Sequence, residues 1–308
     1  MNELIVQSDL FREVVRMALR VAVTDANILI TGESGTGKGA LAEFIHENSP
    51  RAEQPLIKID CAALPQDLLE AELFGFERGA FTGAHEAKPG RLEGAHESTL
   101  LLDEVAHLSL AAQAKFLRVI AQRSFERLGG HHTYQVNARL IALTNVDLAD
   151  AVRRGTFRED LFYRLNVVHL HIPPLSVRPA DIGPLARQFT RHYAAKHGRD
   201  IKGWDKEAMA LLEAYDWPGN VRELANAVER AIIVATGPQL ALADCPASLR
   251  VAARTRQQGR PLTLAEVEAD YVRAVLAQSK GNKAQAARIL GISRKNLYER
   301  MARYGLEY

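Results

Sequence analysis

Apolar positions along this chain follow two different periods, and the change from one to the other happens once. Through the first two-thirds, short apolar runs read as buried strands: Ile28-Leu29-Ile30, Leu56-Ile57-Lys58-Ile59, Thr99-Leu100-Leu101-Leu102 and Leu140-Ile141-Ala142-Leu143. Amphipathic stretches at helical spacing lie between them, such as Lys38 to Glu47 and Leu110 to Gln122. Strands alternating with helices predict an α/β fold, a mostly parallel sheet covered on both faces. After Pro173-Pro174 the strand signals stop. Residues 179–197, 205–215 and 219–236 read as helices, broken at Gly198, Gly203 and Trp217-Pro218-Gly219. Gly237-Pro238, Pro246 and an Arg/Gln/Gly stretch ending in Pro261 read as a linker. The expected organisation is an α/β subdomain over 1–175, a helical subdomain over 176–240, a linker over 241–262 and an all-α domain over 263–308.

Two motifs sit where this pattern would join strands to their ligand edge. Gly32-Glu33-Ser34-Gly35-Thr36-Gly37-Lys38 follows a strand and opens a helix, the context a phosphate-binding loop needs. Its glycines let backbone N–H groups turn inward around phosphates, Lys38 reaches the β/γ-phosphates, and the helix N-terminus adds a favourable dipole. The standard motif ends in Ser or Thr, whose hydroxyl binds Mg²⁺; here Gly39 stands in that place. Metal binding then rests on Asp103 and retained water. Asp103-Glu104 ends the strand begun at Thr99 and puts two carboxylates at the sheet's C-terminal edge. Asp103 is expected to coordinate Mg²⁺ and Glu104 to polarise the attacking water.

Composition adds bounds. The 308 residues are 47% hydrophobic and 25% charged, ordinary for a globular protein. No apolar run reaches the 18 residues of a membrane span. Met1-Asn2-Glu3-Leu4 does not open a signal peptide, and two distant cysteines, Cys61 and Cys245, fit a reducing cytoplasm. Cys61 reads as a small core residue. Net charge is +2, but from Arg250 onward twelve basic residues face five acidic ones. The tail is therefore +7 and residues 1–249 are −5, a distribution that fits an appended nucleic-acid-binding module. Residues 281–298 read as a helix-turn-helix: Ala286, Ala287 and Leu290 form an inner face, Gly291 turns, and Ser293 caps the second helix. Arg294, Lys295, Asn296, Tyr298 and Arg300 suit phosphate and major-groove contacts. His169 and His171 alternate on one strand face and, with no third ligand, read as structural.

Gly79-Ala80-Phe81-Thr82-Gly83-Ala84 lies between the phosphate loop and the acidic strand end. This string, with the motifs above, resembles the bacterial enhancer-binding proteins, AAA+ ATPases that remodel the sigma-54 form of RNA polymerase. The resemblance covers nearly the whole chain. It implies an AAA+ core, a helical lid and a Fis-type helix-turn-helix domain. It implies that the 79–84 loop contacts sigma-54, with Phe81 as apolar anchor and Thr82 as hydrogen-bonding group. Leu143-Thr144-Asn145 looks like sensor I, with Asn145 near the γ-phosphate. The segment from Phe157 to Leu165 is similar to the family's arginine-finger region, so Arg158 and Arg164 would serve a neighbouring subunit's site. Trp217-Pro218-Gly219-Asn220-Val221-Arg222 looks like sensor II, with Arg222 reporting nucleotide state. Where the family usually has a switch Asn, this chain has Asp60, which would set two carboxylates together with Glu104 and raise the pKa of one. The expected protein is thus a cytoplasmic, ATP- and Mg²⁺-dependent activator assembling as a homo-hexamer. It would act on sigma-54 RNA polymerase and be positioned on double-stranded DNA upstream of its promoter. With the phosphate loop beginning near residue 32, no receiver or sensory domain is expected ahead of it, and regulation would come from a separate protein, from expression level or from a missing domain. A non-hydrolysing DNA-binding regulator and another kind of AAA+ remodelling enzyme are the alternatives.

Overall fold

The apolar runs fold into one parallel sheet, and the computed structural model describes residues 4–246, 249–251, 263–279 and 281–306. Most of the expected linker, 247–248 and 252–262, lies outside the described residues. In chain order the α/β part runs α1 (Asp9–Ala22), β1 (Ile28–Thr31), α2 (Lys38–Glu47), β2 (Leu56–Asp60), α3 (Gln66–Phe74), β3 (Gly75–Phe76), β4 (Lys88–Pro89), α4 (Arg91–Gly94), β5 (Thr99–Asp103), α5 (Leu110–Gln122), β6 (Ser124–Glu126), β7 (Thr133–Gln135), β8 (Arg139–Thr144), α6 (Leu148–Arg153), α7 (Glu159–Leu165) and β9 (Val168–His171). The main sheet has the order β2-β5-β8-β1-β9 and is parallel throughout.

Interior strands of a parallel sheet are covered on both faces, so they read as continuous apolar runs. β8 is buried at all six positions. Alternate residues divide between two cores. Leu29, Leu100, Leu102, Leu140 and Ala142 pack with Phe74 and Phe116 on one face. Ile28, Ile30, Leu101, Ile141 and Leu143 pack with Phe11, Leu41 and Ile45 of α1 and α2 on the other. The segment Leu56–Ile59 does form a strand, but only Ile59 of it is buried. β2 is the sheet edge, with Leu56 and Ile57 half-buried and Lys58 exposed in an ion pair with Glu43.

Beyond β9 come single 3₁₀ turns at Leu175–Val177 and Pro179–Asp181, then α8 (Ile182–Lys196), α9 (Lys206–Ala214) and α10 (Asn220–Val234). They enclose Leu212, Trp217, Leu224 and Val228. The expectation that strands end at Pro173-Pro174 is corrected by β10 (Gly203–Trp204) and β11 (Gln239–Leu240), which pair in parallel. Two residues each is too short for any periodic signal. The last part is α11 (Leu264–Gln278), α12 (Lys283–Leu290) and α13 (Arg294–Arg303), packed around Val272, Leu276, Ala286, Ala287, Leu297 and Met301. Among the described residues no helix is long and apolar enough to cross a membrane.

One buried charge ties α1 to the sheet. Arg139 opens β8 at 1% exposure and donates to the Ala22 and Val21 carbonyls, both at 2.7 Å. These carbonyls belong to the last turn of α1, where a cation is favoured. Arg139→Leu strands the Ala22 carbonyl in the interior, while the Val21 carbonyl keeps its bonds from the Thr24 N–H (3.1 Å) and hydroxyl (2.9 Å), and a loss of about 2 kcal/mol is expected from the usual cost of an unmatched buried polar group. Urea denaturation of the full chain measures it; a midpoint within error of wild type would show the contacts are dispensable.

Candidate nucleotide site and output surfaces

The loop after β1 is shaped by its contact with the helical subdomain. Gly35 has φ +78°, and a Cβ there would stand 2.5 Å from the Gly219 carbonyl oxygen and 3.0 Å from Arg222 Cβ. Arg222 donates from its backbone N–H to Gly35 O (3.3 Å) and from its guanidinium to Ser34 Oγ (2.8 Å). Asn220, fully buried with φ +53°, donates to Glu33 Oε2 (2.9 Å) and Ser34 O (3.2 Å) and accepts from Leu175 N–H (2.7 Å). Asn220 was not among the expected site residues; its only signal is its place in the Trp-Pro-Gly-Asn string. Gly39 lies inside α2, with nothing within 4 Å of a Cβ built there.

Lys38 is 6% exposed and donates to Gly32 O (2.9 Å) and Glu33 O (3.2 Å), with its Nζ 3.8 Å from Glu104 Oε1. Burial pulls its pKa down, and the charges of Glu104 and Asp103 push it back up. Glu104 occupies the left-handed backbone region (φ 52°), donates its N–H to Asp103 Oδ1 (3.0 Å) and accepts from Asn145 N–H at Oε2 (3.2 Å). One site therefore gathers Lys38, Asp103, Glu104, Asn145 and, across the subdomain contact, Arg222. Asp60 stands in register with Asp103 on the neighbouring strand and accepts Ala62 N–H (2.9 Å). The sequence points to Asp60 or Glu104 as the carboxyl with a raised pKa; the structure places the rise on Asp103. Burial is the larger cause, followed by the charges of Glu104 and Asp60. Among the described residues no cluster of three His, Cys, Asp or Glu could hold a metal. A half-buried carboxylate crowded by two others nevertheless suits a divalent cation whose remaining ligands are phosphates and water. Cys61, fully enclosed behind this edge, has its thiol pushed up to about 12 by burial and the same carboxylates, as a core residue should.

Arg158 and Arg164 are held elsewhere. Arg158 is paired with Asp160, Nε–Oδ1 at 3.0 Å and NH2–Oδ2 at 2.8 Å. Arg164 is exposed near the end of α7, and its carbonyl accepts from Asn27 Nδ2 (2.8 Å), just before β1. That is the opposite end of β1 from Lys38. His169 Nε2 and His171 Nδ1 both contact Thr31 Oγ1, at 2.7 and 3.0 Å.

The 79–84 loop rises from the antiparallel pair β3–β4. Gly79 N–H donates to Ala84 O (2.8 Å) and Ala84 N–H to Phe81 O (3.0 Å), which closes the loop on itself. Gly79, Phe81, Thr82 and Gly83 are exposed and Ala80 is half-buried. Ala84 is 5% exposed, so it anchors the loop instead of facing outward. The Phe81 ring stands edge-on to Phe76, 4.9 Å between centroids. A second hairpin, β6–β7, grips the base. Arg127 makes a two-pronged pair with Glu93 (both 2.9 Å), reaches Glu77 Oε1 (3.1 Å) and lies 4.7 Å over the Tyr134 ring. This clamp joins residues up to 50 positions apart, and the sequence carries no local sign of it.

In the last domain Ser293 Oγ accepts Asn296 N–H (3.2 Å) and Gly291 ends α12 at φ +66°. Arg294, Lys295, Asn296 and Tyr298 are exposed, with Lys283 Nζ 5.6 Å over the Tyr298 ring. Arg300 departs from expectation. It is half-buried and makes an ion pair with Glu268 of α11, which turns it partly toward its own domain.

The sigma-54 interaction domain family matches residues 4–171, the AAA+ ATPase lid domain family 176–261, and the Fis family of bacterial regulatory proteins 263–304. The regulatory protein AtoC of Escherichia coli (strain K12) is 45% identical over 315 residues, covering 99% of this chain and 68% of that protein. The transcriptional regulatory protein FlbD of Caulobacter vibrioides is 44% identical over 318 residues, covering 98% of this chain and 70% of that protein. The crystal structure of NtrX from Brucella abortus in complex with ATP aligns with a TM-score of 0.75 at 34% identity, covering 99% of this chain and 70% of that one.

Two glycines should respond oppositely to a methyl-sized addition. Gly35→Ala drives a Cβ into the Gly219 carbonyl at an unfavourable φ, and at least tenfold weaker nucleotide binding is expected. Gly39→Ser meets open space, restores the missing hydroxyl and is expected to tighten Mg²⁺-ATP binding. Titration with a fluorescent ATP analogue, with and without Mg²⁺, reads both; equal affinities for the two variants would remove the steric account.

Proposed function

The chain belongs to the sigma-54-interacting AAA+ activator family, and from that premise we propose that its ring-shaped oligomer spends ATP to move the 79–84 loop against sigma-54. The family is one of ATPases joined to Fis-type DNA-binding domains, and nucleotide binding and transcriptional regulation follow from membership. The observation that carries the mechanism is a division of labour. Lys38, Asp103, Glu104, Asn145 and Arg222 meet at one phosphate loop, whereas Arg158 and Arg164 stand away from it.

Backbone amides of 32–39 and the Lys38 ammonium hold the β/γ-phosphates. Bound Mg²⁺ beside Asp103 would neutralise phosphate charge. Glu104 is fixed by the Asn145 N–H at one oxygen, which leaves the carboxylate oriented to accept a proton from an attacking water. Arg222 senses the loop from the lid through Ser34. Arg158 or Arg164 from an adjacent subunit supplies the missing positive charge at the γ-phosphate. This requirement for a neighbour supports a closed ring, with a hexamer as the natural count for this fold. Hydrolysis loosens the Lys38–Glu104–Asn145 cluster. That change reaches the output loop along β5, α5 and the β6–β7 hairpin, where Arg127 grips Glu77 and Glu93. Exposed Phe81 and Thr82 meet sigma-54, while Arg294, Lys295, Asn296 and Tyr298 meet DNA. A cytoplasmic location suits this work. Asp60 and Gly39 change local charge and remove a hydroxyl, yet neither fills the loop.

The decisive experiment is Mg²⁺-dependent ATP hydrolysis against protein concentration, with Glu104→Ala as control. Specific activity is expected to rise with concentration and to vanish in the control; no turnover at any concentration would favour the non-hydrolysing regulator. Mixing Glu104→Ala with Arg164→Ala protein should restore part of the activity, because mixed rings contain intact composite sites. Failure of every mixture to exceed its components would argue that Arg164 does not act between subunits.

Phe81→Ala is expected to abolish sigma-54 capture while leaving ATP turnover within about twofold, since the ring touches Phe76 and solvent but not the nucleotide site. Retained capture would move the contact elsewhere.

A further inference from the structure

Arg178 and Asp181 form a buried charge pair that the mechanism above does not use. They flank the Pro179–Asp181 turn between the sheet and the lid. Arg178 is 2% exposed and Asp181 fully buried. Arg178 NH2 donates to the carbonyl of Thr36, inside the phosphate loop, at 2.7 Å. Its NH1 lies 3.8 Å from Asp181 Oδ2, and its guanidinium stacks 4.6 Å over the Phe11 ring of α1. Asp181 accepts three hydrogen bonds from the turn that precedes α1. Gln7 N–H (2.6 Å) and Ser8 N–H (2.8 Å) reach Oδ1, and the Ser8 hydroxyl (3.1 Å) reaches Oδ2. Ser8 in turn caps α1 through Phe11 N–H (3.3 Å).

A guanidinium withdrawn from water is costly unless every donor is matched. Here the match is incomplete, because Arg178 Nε has no partner. The placement explains why such a group is useful. Thr36 sits between Gly35 (φ +78°) and Gly37 (φ +105°), two residues whose lack of a side chain leaves the flanking backbone angles weakly specified by sterics alone. In a trans peptide the carbonyl and the following N–H point in opposite directions. Holding the Thr36 carbonyl therefore aims the Gly37 N–H the other way, toward the space where loop amides meet phosphate.

We propose that Arg178 is a positioning residue for nucleotide binding, which fixes the 36–37 peptide and, through Asp181, makes that fix depend on the seating of the Gln7–Ser8 turn. Any partner or segment that displaces this turn would thereby loosen phosphate binding without touching the site. The inference rests on the nucleotide-site reading given above.

The test uses the full chain, an ATP analogue carrying a ribose fluorophore, and steady-state hydrolysis. Arg178→Lys keeps the charge, but its single ammonium cannot serve Thr36 and Asp181 with the same geometry. Analogue affinity is expected to fall about tenfold, with KM for ATP rising more than kcat falls. Ser8→Ala is expected to weaken binding two- to threefold in the wild-type background and to add nothing to Arg178→Lys. Asp181→Asn preserves the acceptor for the Gln7 and Ser8 N–H groups, gives up the oxygen that takes the Ser8 hydroxyl and removes the charge pair, so it should resemble Arg178→Lys. It also carries the test should the lysine variant not fold. Native melting curves with affinity within twofold of wild type for Arg178→Lys or Asp181→Asn would overturn the proposal. Additive effects of Ser8→Ala and Arg178→Lys would overturn the link to the N-terminal turn. Wild-type protein that binds no analogue would instead overturn the nucleotide reading itself, an outcome distinct from both.

Discussion

Burying the Lys38 ammonium against two carboxylates is the constraint from which the rest of the nucleotide site follows. An amine at 6% exposure needs acceptors and counter-charge, and the loop carbonyls of Gly32 and Glu33 together with Glu104 provide them. The carboxylates pay for proximity in turn, with Asp103 shifted toward its neutral form by burial and by Glu104 and Asp60. Such a cluster is balanced only when the charges of phosphate and cation are added. On the proposed mechanism, a γ-phosphate brought to Lys38 would change the Lys38–Glu104 attraction, and with it the hold of Glu104 on Asn145 N–H.

The connection between this cluster and the 79–84 loop is mostly backbone. Asp103 and Glu104 end β5, and the chain continues through a single 3₁₀ turn into α5 and then β6. At the far end Leu128 N–H and O bond to Gly75 O and Glu77 N–H, so the second hairpin is tied to the first at the root of the 79–84 loop. Arg127 adds a charge-assisted bond on two sides, and its hydrogen bond to Glu93 holds that carboxyl below its usual range. A loop closed by its own Gly79–Ala84 contact and gripped at the base moves as a unit. Phe81, edge-on to Phe76, is then held as a fixed prong, the form that the proposed mechanical role asks of it.

How much of this could be read in advance depended on whether a feature is local. Strands β1, β5 and β8 were legible because burial on both faces leaves an unbroken apolar run, and α2 and α5 because their periodicity is long. The phosphate loop and the acidic strand end were legible because their chemistry demands fixed residue types at fixed spacing. The two-residue strands β3, β4, β10 and β11 were not, since no period fits in so short a span. Nor were side-chain pairings across the fold. Arg300 and Arg294 look equivalent in sequence, yet Arg300 pairs with Glu268, 32 positions upstream, and Arg294 does not share that partner. Asp103 is raised first by its burial, a depth that the residues alone do not report.

The arginines make the same point with the greatest consequence. Arg139 and Arg178 are sequestered and spend their donors on carbonyls, fixing α1 and the phosphate loop. Arg127 is shielded and spends its donors on carboxylates. Arg158 and Arg164 are exposed, the former parked on an equally exposed Asp160 whose hold is weak in water. An exposed pair can exchange partners at little cost, whereas the buried ones cannot. The set therefore sorts itself by burial into groups committed inside the fold and an exposed group that is not. The composite site proposed above would draw its transition-state cation from this uncommitted group, because the buried arginines have no donors to lend without dismantling the α1 and phosphate-loop contacts.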